Sequence, residues 1–127
     1  MFLAGIMLKL GVYGFIKFNI LIFSSVIPYV YPFIVAQGLI GALSAALSMY
    51  KQVDVKKIIA YSSIVHMNIG IIGLFASSTQ AFSGALLLSF SHGIVSAGLF
   101  FCIGFLQNNF KDRNLLQISG VMHVMPK

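Results

Sequence analysis

Four ionisable side chains, Lys9, Lys17, His66 and His92, stand inside stretches that are otherwise apolar. An ammonium held in hydrocarbon costs on the order of 3 kcal/mol or more, so a lysine there has to be supported by its surroundings. Lys9, Tyr13 and Lys17 follow one another at intervals of four, which on a helix makes one polar stripe drifting about 40° per step. Ser62 and His66 are one turn apart with Ser63 beside them, just after Tyr61, while Ser89, His92 and Ser96 recur at i, i+3, i+7. A neutral imidazole accepts a proton on one nitrogen while donating from the other. Two histidines, each with hydroxyls on its own face, therefore suit the hand-on of protons through water. The chemistry indicated is a proton or ion path across a membrane, with Lys9 as one station. Two plainer uses stay open. Lys9 is also explained as a structural lysine paired with a neighbouring chain's carboxylate, and each histidine as a satisfied packing residue. For Lys17 the closer reading is snorkelling of its stem toward the headgroups.

Other chemistries find little support. His66, His92 and Cys102 have no recognised ligand spacing and no nearby carboxylate, which argues against a metal site. The chain holds no phosphate-cradling glycine loop, nucleophile elbow or paired carboxylate. His123 falls in the polar tail and reads as solvated or at a subunit contact.

These residues need helices to position them, and the composition says that the helices lie in a bilayer. The 127 residues are 59% hydrophobic and 8% charged, with a mean hydropathy of +0.99, whereas about a quarter of a soluble domain is charged. A net charge of +6 does not point to nucleic acid, because no water-facing domain is left to display a basic patch. It reads instead as the topology signal of the loops. With Cys102 the single cysteine, no intrachain disulfide can form.

The expected fold is all-α: a polytopic membrane protein with four transmembrane helices over about 2–24, 32–50, 55–75 and 80–106. The first is loosened by Gly5, Gly11 and Gly14. The loop 25–31, with Pro28, Tyr29 and Tyr31, marks a headgroup level, and Pro32 suits the first turn of the second helix. In that helix Gly38, Ala42 and Ala46 fall four apart, as do Gly41 and Ala45, a spacing that lets backbones approach closely in lipid. The short link Ala76 to Thr79 makes the third and fourth helices antiparallel neighbours. In the tail, Leu115, Ile118, Met122 and Met125 share one face, giving a short interfacial helix near 113–124 that Pro126 ends. The whole of 1–127 is expected to be one membrane segment with no soluble domain and no tandem repeat.

Loop charge sets the orientation. Lys51, Lys56, Lys57, Lys111 and Arg113 sit in the 51–57 and 107–113 segments, whereas 25–31 and 76–79 carry no charge. The first pair therefore faces the cytoplasm or matrix. No basic, cleavable presequence opens the chain, so it is either made where it inserts or is a piece of something longer. Glutamate is absent, and the two acids, Asp54 and Asp112, lie at loop ends. A lysine whose charge is switched needs a counter-charge to pair with and release. That carboxylate is expected from another polypeptide, which makes the chain part of an obligate complex.

Three stretches, LAGIMLKLGVYGFIKF, QVDVKKIIAYSSIVHMNIG and SHGIVSAGLFFCIGFL, in this order and with these separations, closely resemble the chain 4 family of NADH:ubiquinone oxidoreductase. These are antiporter-like subunits of the membrane arm of respiratory complex I, related to cation/proton antiporter subunits. The resemblance runs over essentially the whole chain, and D-x-K-K-x-I-A-Y-S-S-x-x-H-M is its most specific motif. The Phe- and Ile-rich composition fits a mitochondrially encoded member.

The resemblance implies a role for each matching residue. Lys9 matches the family's mid-membrane proton-relay lysine, His66 and His92 match similar relay positions, and Lys56 matches a helix-start lysine at the matrix side. Tyr13, Lys17, Tyr61, Ser62, Ser63, Ser89 and Ser96 stand as supporting polar residues. Two departures matter. Leu106-Gln107-Asn108-Asn109 replaces the usual L-Y-D-R, and the chain corresponds to roughly the middle third of the usual subunit. Missing upstream is a glutamate and lysine pair on earlier helices; missing downstream is a broken helix with its own ionisable residue. The chain is thus expected to be a split subunit or a fragment, with companion chains in the membrane arm supplying helices and carboxylates, and lipid around it.

The implied function is proton translocation through Lys9, His66 and His92 in the mitochondrial inner membrane, driven by quinone reduction elsewhere in the complex, with 51–57 and 107–113 on the matrix side. NADH, flavin, iron–sulfur clusters and ubiquinone belong to the complex and none to this chain. Two alternatives are a subunit of a multi-chain cation/proton antiporter and a structural remnant that packs the arm without pumping.

Overall fold

The computed structural model describes residues 6–20, 22, 25–76 and 78–110, all but 18–20, 109 and 110 with their side chains. The interfacial helix expected near 113–124 lies outside the described residues, as does Asp112. Within them every element is helical. The first span is helical from 6 to 20. Its regular part, α1 (Leu8–Gly14), passes into a π-helical segment, Phe15–Ile20. The widening begins directly after Gly14, one of the glycines expected to loosen this span.

The second helix, α2 (Ile27–Tyr50), starts five residues before the expected position 32. Pro28, Tyr29 and Tyr31 therefore lie inside it rather than in a loop, and Pro32 sits within the helix rather than in its first turn. The first-turn proline is Pro28, at a position where the missing N–H would have no partner anyway. Pro32, four residues on, leaves the Pro28 carbonyl without its helical donor, a local loss that does not end the helix.

The loop that follows leads into α3 (Val55–Phe75), whose limits match the expectation. Asp54 stands at its N-cap with extended backbone, but makes no capping hydrogen bond. Its carboxylate instead meets Lys57 Nζ at 3.2 Å. Both side chains are partly exposed, so the pair is worth at most about 1 kcal/mol. Asp54→Ala is expected to leave the thermal unfolding midpoint of the detergent-solubilised protein essentially unchanged, as read by circular dichroism.

The last helix, α4 (Thr79–Phe110), runs past the expected end at 106 and takes in Gln107 and Asn108. No proline or glycine follows to stop it there. Its start is set by Ser78, whose Oγ accepts a hydrogen bond from the Ala81 N–H at 3.1 Å. Ile27–Tyr50, Val55–Phe75 and Thr79–Asn108 are each long and apolar enough to cross a bilayer.

α3 is the middle of the bundle, packed between α2 on one side and α4 on the other, with α1 touching α4 over a shorter stretch. The small residues do the work expected of them. A Cβ at Gly38 would stand 2.8 Å from Ile72 Cγ1, and one at Gly41 would stand 3.0 Å from Asn68 Nδ2. At the other seam a Cβ at Gly73 would meet that of Ala85 at 3.1 Å, so α3 and α4 are close neighbours, as their short link requires. The apolar core gathers Val12, Met67, Leu74, Phe75 and Ala85. Phe15, in the π-helical segment, closes it edge-on against Phe75 with ring centroids 5.7 Å apart. Most large side chains point outward, as they do in a protein whose solvent is lipid.

Candidate functional site

The three residues expected to form a relay come from three different helices and meet. Lys9 Nζ on α1 lies 3.5 Å from His92 Nδ1 on α4, at the long limit of a hydrogen bond. On the other side of His92 stands His66 of α3, with ring centroids 5.7 Å apart and planes inclined by 50°. The order is Lys9, His92, His66. A charged lysine can only donate, which requires the lone pair at His92 Nδ1 and leaves the ring proton on Nε2. If Lys9 is neutral, the roles at this contact can reverse.

Two clefts flank the contact. One, of about 170 Å³, lies between α3 and α4 and is lined by Ser62, Ser63, His66, Ser91, His92 and Ser96 together with aliphatic side chains. The other, of about 330 Å³, lies between α1 and α4 and holds Lys9 and Ser89 among Ile6, Phe90, Gly93 and Ile94. His92 belongs to the first and Lys9 to the second, so their contact stands where one cleft gives way to the other.

The hydroxyls are oriented by their own helices. Ser62 and Ser63 both donate to the Ile59 carbonyl, at 2.8 and 3.1 Å. Ser91 donates to Leu88 and Ser96 to Gly93, at 3.1 and 3.3 Å. In the other cleft Ser89 donates to Leu86 at 2.8 Å. Each hydroxyl proton is thus committed to the backbone, and toward the clefts these oxygens offer lone pairs. They can hold water or accept from a histidine N–H. The side chain of Ser96 is almost fully enclosed.

The remaining predicted residues lie elsewhere. Tyr13 and Lys17 are exposed and pair with each other, the ammonium 5.7 Å from the ring centroid. Lys56 and Tyr61 are half-buried on α3 and line neither cleft. The serine stripe at 89, 92 and 96 is divided, Ser89 going to the lysine cleft and Ser96 to the histidine cleft. Ser91 was missed by the sequence reading. Its signal was available, since Leu88, Ser91, Val95 and Leu99 recur at intervals of three and four and all line the cleft toward α3. Among the described residues no three His, Cys, Asp or Glu side chains gather in a way that could hold a metal.

A bundle of apolar helices with small-residue seams, ionisable side chains meeting between three of them and water-sized clefts on either side is the build of a membrane ion-translocating protein. All of residues 1–127 match the family described as NADH:quinone oxidoreductase/Mrp antiporter, TM, and the chain belongs to that family of membrane proteins. It is 45% identical to the NADH-ubiquinone oxidoreductase chain 4 of Dictyostelium citrinum over 98% of its own length and 30% of the relative's. With the chain 4 proteins of Acanthamoeba castellanii and Prototheca wickerhamii it shares 45% and 46% identity, again over 98% of this chain but 25% and 24% of theirs. The chain therefore spans 24–30% of the length of these curated relatives. It corresponds to a smaller share of the subunit than the third expected.

Proposed function

We propose that the chain is a proton-translocating part of the membrane arm of NADH:ubiquinone oxidoreductase, seated in the mitochondrial inner membrane with the 51–57 and 107–113 segments on the matrix side. The observation that carries this reading is the meeting of Lys9, His92 and His66 from three helices at a boundary between two clefts. A proton leaves Lys9 Nζ for His92 Nδ1, His92 releases its other ring proton from Nε2, and His66 is next in line through water in the serine-lined cleft. His92 is thus the exchange point, taking a proton on one face and giving one up on the other. The names of the relatives support the respiratory setting. The redox groups then belong to other chains, because an iron–sulfur cluster takes four thiolates and this sequence has one cysteine. Companion membrane-arm chains complete the subunit around the exposed faces of these helices.

His92→Gln keeps a polar side chain beside Lys9 but removes the two-sided acid–base group. In membranes carrying the complex, proton translocation along this path is expected to slow by about 10²-fold. The chain should still be present at its normal level. Unchanged proton uptake, followed with a pH-sensitive dye during NADH oxidation, would count against the relay.

The second reading is a subunit of a cation/proton antiporter, favoured by the family description itself, which names Mrp antiporters beside the quinone oxidoreductases. Co-purification separates the two. Flavin and iron–sulfur subunits accompany the chain if it serves respiration, and only other antiporter chains if it does not.

A further inference from the structure

α2 has two dissimilar faces. Toward α3 it turns Gly38, Gly41 and Ala45, the residues that let the backbones approach. On the far side, within an arc of about 100° at ~100° per residue, stand Tyr29, Phe33, Ile40, Leu43, Leu47 and Tyr50, all of them exposed. Protein–protein seams between helices in lipid are built from small residues, and this face is built from large ones. The two tyrosines close it at its ends, 84% and 90% exposed. Along the axis they are about 32 Å apart at 1.5 Å per residue, which matches a hydrocarbon layer of about 30 Å. Tyrosine at both limits of such a span is the mark of a surface wetted by lipid from one headgroup layer to the other.

The two ends differ in charge. At the Tyr29 end, 25–31 carries none. At the Tyr50 end the chain passes at once to Lys51, which is exposed, and then to Lys56 and Lys57 at the start of α3. Against these three lysines stands one carboxylate, Asp54, already engaged by Lys57 at 3.2 Å. Lys51 and Lys56 form no ion pair among the described residues. An apolar track thus ends on an aromatic ring at the headgroup level and is continued by uncompensated ammonium groups.

We propose that the outer face of α2 together with the 51–57 loop is a docking surface for an anionic phospholipid. Its acyl chains lie along Leu43 and Leu47, its glycerol level is at Tyr50, and its phosphate is at Lys51 and Lys56. This rests on the membrane setting of the chain and is independent of the proton path.

The test uses native membranes that carry the chain, doped with a trace of either phosphatidylglycerol or phosphatidylcholine bearing a diazirine on the acyl chain. After irradiation, adducts are mapped by peptide mass spectrometry. Ile40, Leu43, Leu47 and Tyr50 are expected to be labelled several-fold more by the phosphatidylglycerol probe. That preference should fall to parity in Lys51→Gln, and in the unaltered protein at about 0.5 M salt, where screening shortens electrostatic reach to a few ångström. Absence of adducts on these residues with both probes, while other membrane proteins in the sample are labelled, means a protein helix covers the face and overturns the proposal. Equal labelling by the two probes overturns it as well, and so does a preference that survives Lys51→Gln.

Discussion

Replacing Lys9 by methionine is expected to lower the number of protons moved per NADH oxidised while leaving the complex assembled. Methionine keeps the unbranched stem and fills nearly the same space, so the groove against α4 stays packed. The substitution removes an ammonium that costs on the order of 3 kcal/mol to hold at such depth, so the bundle loses no stability overall. What disappears is the group that meets His92 Nδ1 at 3.5 Å. Loss of a positioned acid–base group slows transfer by about 10²-fold or more, which for this path amounts to closure. The measurement is proton stoichiometry in sealed vesicles, run beside quantification of the assembled complex on a native gel. A mutant complex with normal stoichiometry would leave the chain as structural filling of the arm and would sink the relay.

The opposite pattern is expected of Gly38→Leu. The first carbon of any side chain at this position stands 2.8 Å from Ile72 Cγ1 and 2.9 Å from Cδ1. Ile72 can swing its terminal methyl away from a lone Cβ. It cannot clear a whole isobutyl group without moving its backbone. Overpacking of this kind costs about 1–3 kcal/mol in ordinary cores, and at a seam between two backbones the relief must come from parting α2 and α3. Less of the chain should then be found in the assembled membrane fraction, with little of it competent. Because the damage is local, Ile72→Ala on the same chain should recover part of the loss. No recovery in the double mutant would mean that Gly38 matters for some reason other than its closeness to Ile72. Taken together, Lys9→Met and Gly38→Leu separate a residue that does chemistry from one that allows packing.

Much of the fold could be read from the chain because its signals were strong and local. The polar run 51–57 and Asp54 delimited α3 to the residue, and the glycines and alanines of α2 announced a close seam. The start of α2 was misread because two prolines four residues apart both look like helix openings, and only one of them is. The end of α4 was misread because a pair of asparagines resembles a terminus but brings no breaker with it. The candidate site was half legible. Each helix showed its own polar stripe, but nothing in the spacing tells how three helices are rotated about their axes. The Lys9–His92 contact joins residues 83 apart in sequence. The stripe of Ser89, His92 and Ser96 illustrates the limit. On an isolated helix it is one face, whereas in the bundle it runs along the line where α1 and α3 both meet α4, so its members face different clefts.

The division between the clefts also bears on what may pass. Were the space continuous, a hydrated sodium or potassium ion could follow the water through. Here water on the α1 side and water on the α3 side are separated by a nitrogen-to-nitrogen contact, and such a contact transmits only a particle that can be taken up on one side of a molecule and released from the other. A proton satisfies that condition because imidazole exchanges it between its two nitrogens; a metal cation does not. The path is insulated against alkali ions by a pair of side chains, without any filter of fixed radius.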